Sequence, residues 1–179
     1  MYRILGLDLS LTETGFCVID FDGKFDVLKD KGLIKTKLKG VERLEYLENS
    51  LKYLIKEFKP DIAILEGYAM GIRGGRTFNI GEWGGIARLT LFKKKVKYLS
   101  VSPKSLKKYA TGNGNSDKNM MLKTVFQKWG FDATDDNVAD AFALAKVGSA
   151  IYQVDNNMPN VKLRGYEIEA LEKIERKMD

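Results

Sequence analysis

Three strand-forming runs follow one another at the start of the chain with almost nothing between them: YRILGLDLS from Tyr2, TGFCVIDF from Thr14 and KFDVLKDKGLIKT from Lys24. The connectors LTE and FDG are far too short for a crossover helix, which needs a dozen or more residues, so the three runs must be antiparallel neighbours. Beyond them Leu44, Leu47, Leu51, Leu54, Ile55 and Phe58 recur at helical spacing between about Val41 and Phe58, and Lys59-Pro60 stops that helix. DIAILEG, from Asp61, is nearly all apolar, as expected of a central strand covered on both faces. A further helical stretch separates it from VKYLSV, the fifth strand. The order predicts an α/β domain on a five-stranded mixed sheet, an antiparallel meander first and parallel crossovers after it.

YAMGIRGGRTFNIGEWGG, with Arg73 and Arg76, reads as a Gly-rich basic loop leading into a helix that ends near Phe92. Ser102-Pro103 gives an N-cap with proline at the first helical position, and that short helix ends near TGNGN. Ser116 is placed to cap the next helix, whose apolar residues are Met120, Met121, Val125, Phe126 and Trp129. The last long helix runs from TDDNVADAFALA to about Tyr152. Residues 1–153 are expected to form the principal domain. Residues 154–179 are expected to be a linker, DNNMPN, and a charged helix with Glu169/Lys173 and Glu172/Arg176 at i,i+4. Ile168, Leu171 and Met178 give that helix a partial apolar stripe, suited to its own domain or to a partner.

Three acids stand where acids are expensive. Asp8 lies in the first strand, and alternation puts it on a face with Ile4, Gly6 and Ser10, opposite Leu5, Leu7, Leu9 and Leu11. Glu66 ends IAILE, and functional groups of open α/β sheets gather at such strand ends. Asp140 is flanked by Val138, Ala139, Ala141 and Phe142. At roughly 100° per residue, Asp136 lies about 40° from Asp140 and Asn137 about 60°, while Asp135 points about 140° away and suits an N-cap. If the strands of Asp8 and Glu66 are neighbours, their like charges raise one pKa unless a cation neutralises them, which argues for a metal as much as for acid/base work.

The choice of cation is narrowed by an absence, for the chain has no histidine. Hydrolases relying on a histidine base and Cys/His zinc sites are excluded, and facing carboxylates suit one or two magnesium ions. The single cysteine, Cys17, excludes an internal disulfide framework. No run suits a membrane span and the N-terminus lacks signal-peptide regions, so a soluble, cytoplasmic protein is expected. From Lys93 to Lys123 nine lysines face one acid, Asp117, a local net of +8 against +6 for the whole chain. Such a stretch reads as a phosphate-facing surface, and carboxylate-bound metal beside it is the chemistry of a nuclease.

Asp8 in LGLDLSLTETGF, Glu66 in AILEGYA and Asp140 in DDNVADAFALA, taken in that order, resemble the RuvC-type Holliday junction resolvases, particularly the short bacteriophage versions, within the ribonuclease H-like superfamily. The resemblance runs from about residue 2 to 150. It implies a ribonuclease H-like fold, a symmetric homodimer, four-way DNA junctions as substrate, and magnesium or manganese, two ions per site, held by Asp8, Glu66 and Asp140. In LKKYATGNGNSDK it implies Lys107 and Lys118 near the scissile phosphate, with Lys104 and Lys108 as further phosphate contacts and Arg73 and Arg76 reaching DNA from the preceding loop. The fourth ligand position, an acid in most of the family, falls on Asn137, with Asp136 one residue earlier as the competing carboxylate. Tyr68 or Phe78 would serve as the aromatic wedge. GLDLSLTETG also resembles the phosphate loop of actin-like kinases, so an ATP phosphotransferase and a non-catalytic DNA-binding module stand as alternatives.

Overall fold

The computed structural model describes residues 1–67, 75–159 and 162–175, the stretch 75–80 by its backbone alone. In chain order the elements are β1 (Tyr2–Asp8), β2 (Glu13–Phe21), β3 (Asp26–Lys35), α1 (Gly40–Phe58), β4 (Ile62–Glu66), α2 (Gly75–Lys93), β5 (Lys97–Val101), α3 (Pro103–Thr111), α4 (Lys118–Trp129), α5 (Asp136–Asp155) and α6 (Gly165–Glu172). Among the described residues no helix is long and apolar enough to cross a membrane. The strands form one sheet in the order β3-β2-β1-β4-β5. β1 and β3 pair antiparallel with β2, whereas β4 lies parallel to β1 and β5 parallel to β4. This is the pairing that the connector lengths dictate, and it puts β1 at the centre.

The alternation along β1 divides the core. Leu5, Leu7 and Leu9 enter one apolar cluster with Leu47, Leu51 and Leu54 of α1 and Trp83 of α2. Ile4 enters the other, built on α5 together with Ile19, Ile64 and Val101. Helix α5 carries an unbroken buried run from Ala141 to Ala145 and lies across β1 and β2 at very short range. A Cβ on Gly6 would strike the Ala141 carbonyl oxygen, and one on Gly15 the Asn137 carbonyl oxygen. Gly148 of α5 meets Ile4 and Ile64 in the same way. Three hydrogen side chains thus set the height of α5 above the sheet.

Local signals account for most helix ends. Ser102 caps α3 by accepting from the Ser105 amide at 3.1 Å, with Pro103 opening the helix. Helix α4 differs from expectation: its cap is Asp117, which accepts from the Met120 amide at 2.8 Å, while the Ser116 hydroxyl donates back to the Asn113 carbonyl. The helix starts one residue later than Ser116 could serve, and a carboxylate suits the positive helix end. Of the expected apolar face of α4, Met121 and Val125 are buried, but Met120 and Phe126 are exposed.

The C-terminal helix α6 packs on the body of this chain. Ala170, Leu171 and Ile174 join the α5 cluster, leaving Ile168 exposed. Its polar tether is Lys128 of α4, whose ammonium pairs with Glu167 at 2.6 Å, donates to the Tyr109 and Ala110 carbonyls, and lies 4.5 Å from the centre of the Trp129 ring and 5.2 Å from that of Tyr109. Glu169 pairs with Lys108 of α3 across helices and also feels the nearby Lys173. The companion of Glu172, Arg176, lies outside the described residues.

The close approach over Gly6 gives a sharp test. Gly6→Ala should lower the unfolding free energy in urea by about 3 kcal/mol or more, because the obstruction is backbone. Gly85→Ala, a helical position with open space around it, should be neutral or stabilising by roughly 0.5–1 kcal/mol.

Candidate active site

Register brings the first two acids together. Leu7 of β1 is level with Leu65 of β4, so Asp8 and Glu66 end adjacent parallel strands on the same row. Both belong to the α5 face by alternation, following Ile4 and Gly6 on one strand and Ile62 and Ile64 on the other. Asp8 is 6% exposed, and burial with repulsion from Glu66 holds its carboxyl well above the ordinary carboxylate range. A side-chain hydrogen bond between the two carboxyl groups raises Asp8 further. Burial pushes Glu66 up to about 6, with that hydrogen bond opposing the rise and the charge of Asp140 adding to it.

Helix α5 supplies the remaining acids. Asp135 is its N-cap and accepts from the Asn137 amide at 2.8 Å, as its position predicts. Asp140, adjacent to the Ala141 carbonyl that lies over Gly6, is pushed up to about 7 by burial, then by the charges of Asp8 and Asp136, with Lys107 and Lys118 pulling the other way. Its Oδ1 is buried and has no hydrogen-bond partner among the described residues. Asp136 acts electrostatically on both Asp8 and Asp140 and forms an ion pair with Lys118. The neighbouring Asn137 packs its backbone and Cβ against Gly15.

The basic residues separate into groups. Lys118 at the start of α4 and Lys107 on α3 act on the acids directly. The Asp136 hydrogen bond raises the pKa of Lys118 and keeps it charged. Lys104 is exposed, and the loop after α3 lies on its stem at Gly114. Lys108 is engaged by Glu169 instead, an acid that helix periodicity alone paired with Lys173. Tyr68 and Arg73 lie outside the described residues, as do the side chains of Arg76 and Phe78.

A support that the sequence did not flag lies beneath the turn after Asp8. The buried indole of Trp83 donates to the Thr14 hydroxyl at 3.1 Å, and that hydroxyl donates to the Ser10 carbonyl at 2.6 Å. The GEWGG context gave no hint beyond a large aromatic among glycines.

As they stand, no three acidic or thiol side chains among the described residues are drawn tightly enough to enclose an ion; Lys118 lies against Asp136 and a hydrogen bond links Asp8 to Glu66. The chemistry of the set nevertheless fits a hard divalent cation. The donors are all oxygens, one is orphaned and buried, and three of the four acids are forced upward by burial and mutual repulsion.

A mixed five-stranded sheet with carboxylates at the adjoining ends of its two central parallel strands, faced by acids from a helix, defines a ribonuclease H-like nuclease fold. The family model described as crossover junction endodeoxyribonuclease RuvC matches residues 4–147, and the chain belongs to that family. The crossover junction endodeoxyribonuclease RuvC of Prochlorococcus marinus (strain NATL1A) is 34% identical over 151 residues, 82% of this chain and 97% of its own. The structure of Thermus thermophilus RuvC in complex with Holliday junction substrate is similar at a TM-score of 0.74 and 18% identity, over 88% of this chain and 98% of that one. A Fowlpox virus resolvase in complex with Holliday junction DNA shares the fold at a TM-score of 0.59 and 14% identity, over 84% and 98%. Helix α6 lies beyond the segment that the family model matches.

The buried acids predict a stability signature. Their folded-state pKa values exceed those of the unfolded chain, so metal-free protein loses stability as pH rises from about 4 through 7. In chelator, Asp140→Asn should therefore melt roughly 2–6 °C higher than wild type above pH 7 and converge with it near pH 5. Magnesium should raise the melting temperature of wild type more than that of the variant.

Proposed function

We propose that this chain is a metal-dependent, structure-selective endonuclease that hydrolyses phosphodiester bonds at four-way junctions and related branched DNA, acting inside the cell as a homodimer. The observation that carries it is the meeting of Asp8, Glu66, Asp136 and Asp140 on one face beside Lys107 and Lys118, in a member of the crossover junction endodeoxyribonuclease family. Family membership sets the phosphotransferase and non-catalytic readings aside.

Asp8, Glu66, Asp140 and Asp136 would hold the cation, magnesium or manganese, with room in their chemistry for two ions. A bound ion would supply the Lewis acidity that activates water and offsets charge on the leaving oxygen in phosphodiester hydrolysis. The chain's own residues prepare that event. Burial and mutual repulsion hold Asp8, Glu66 and Asp140 above the ordinary carboxylate range, so a bound cation would compete with protons for them. Asp136 is preferred to Asn137 because it is charged, close enough to act on Asp8 and Asp140, and held by an exposed Lys118 that can turn to a phosphate. Once released, Lys118 stabilises charge developing on the scissile phosphate, and Lys107 and Lys104 hold the strand.

Wild type should cut a four-way junction with magnesium and spare it with chelator, leaving plain duplex intact. Asp140→Asn should bind the junction yet cut it roughly 10³-fold or more slowly; full cleavage by that variant would refute the site. The contest between neighbours is decided by a pair of substitutions. Asp136→Asn should slow cleavage by roughly 10² or more while Asn137→Ala stays within about threefold, and the reverse pattern would assign the ligand to Asn137.

A further inference from the structure

Lys107 and Lys118 act on the acids from α3 and α4, on the α5 side. The opposite flank, the connector from β3 to α1, reads Lys35, Thr36, Lys37, Leu38, Lys39 without an acid. β3 is antiparallel to β2, which is antiparallel to β1, so the connector leaves the sheet at the end where Asp8 and Glu66 stand. Asp8 pairs with Gly15 and Gly15 with Leu33, while Lys35 stands two residues further on, opposite Glu13. At ordinary strand spacing and rise, this puts Lys35 about 12 Å from Asp8.

The connector is fastened to the catalytic turn. The Thr36 amide donates to the Thr12 carbonyl at 3.1 Å, and the Leu38 amide to the Thr36 hydroxyl at 3.1 Å. Thr12 lies in the same turn that Thr14 ties to Ser10. Between turn and connector is an open groove of about 560 Å³ lined by Thr12, Glu13, Lys35, Thr36 and Lys37. Lys37 and Lys39 are exposed with no ion-pair partner among the described residues. Lys35 pairs with Glu13 at 3.1 Å, an exposed pair that a phosphate displaces at little cost.

We propose that this groove is a second phosphate-binding bank, in which Lys35, Lys37 and Lys39 with the Thr12 and Thr36 hydroxyls hold the DNA sugar-phosphate backbone on the side of the carboxylates away from α3 and α4. It rests on the nuclease reading and adds a second set of contacts to it. A strand crossing the acids is then gripped on both sides of the scissile bond. The bank reads charge and backbone alone, so it strengthens binding to junction, fork and duplex alike.

The test compares Lys37→Ala/Lys39→Ala with a matched control at the far end of the sheet, Lys24→Ala/Lys56→Ala, in junction binding across a salt series in chelator. The connector variant should bind more weakly, with the slope of log K against log salt shallower by roughly 1 to 2, and in magnesium its loss should fall on KM with kcat retained. The control should match wild type. A connector variant indistinguishable from the control, in a protein that binds and cuts junctions, would overturn the second bank alone. Wild type that binds no DNA at any salt would overturn the bank together with the nuclease reading.

Discussion

The site depends on how closely one helix can lie on one sheet. Helix α5 rests its backbone on Gly6 and Gly15, and its own Gly148 leaves room for the side chains of Ile4 and Ile64, so the layers lie closer than side chains ordinarily allow. That approach lets Asp140, beside the contact over Gly6 and about one turn from that over Gly15, act on acids at the strand ends. A methyl group at either strand glycine would lift the helix, and the carboxylates would separate although none of them had changed. The glycines are therefore as much a part of the constellation as the acids.

Having been brought together, the acids strain the fold. Asp8, Glu66 and Asp140 are buried among like charges, with a hydrogen bond between Asp8 and Glu66 and with Lys118 laid against Asp136. Both are stand-ins for a divalent cation. The surrounding structure bears the cost through two apolar clusters, one on each face of the sheet, and through the indole of Trp83 beneath the turn that follows Asp8.

Much of this was legible because it follows from periodicity. Alternation put Asp8 on the face of Ile4 and Gly6, and the 100° helical step grouped Asp136 with Asp140 and turned Asp135 away to the cap. Connector length settled which strands run antiparallel. What escaped was set by distant contacts. Glu169 has a good local partner in Lys173, but the docking of α6 brings it to Lys108. Met120 and Phe126 carry helical spacing, yet α4 offers only a narrow face to its neighbours, through Met121 and Val125. The Ser116 cap failed by one residue because Asp117 competes for the same amides.

The two tryptophans of the chain have fallen on opposite flanks of the sheet. Trp83 is sealed beneath the turn that carries the chain out of β1, with its ring nitrogen tied to Thr14. Trp129 lies beside the Lys128 ammonium and the ring of Phe142 on α5. The protein thus carries its own pair of optical reporters. Emission from the first follows the packing behind Asp8, and quenching of the second by its neighbouring cation follows the fastening of α6, so rearrangement on either flank can be told apart without attaching a dye.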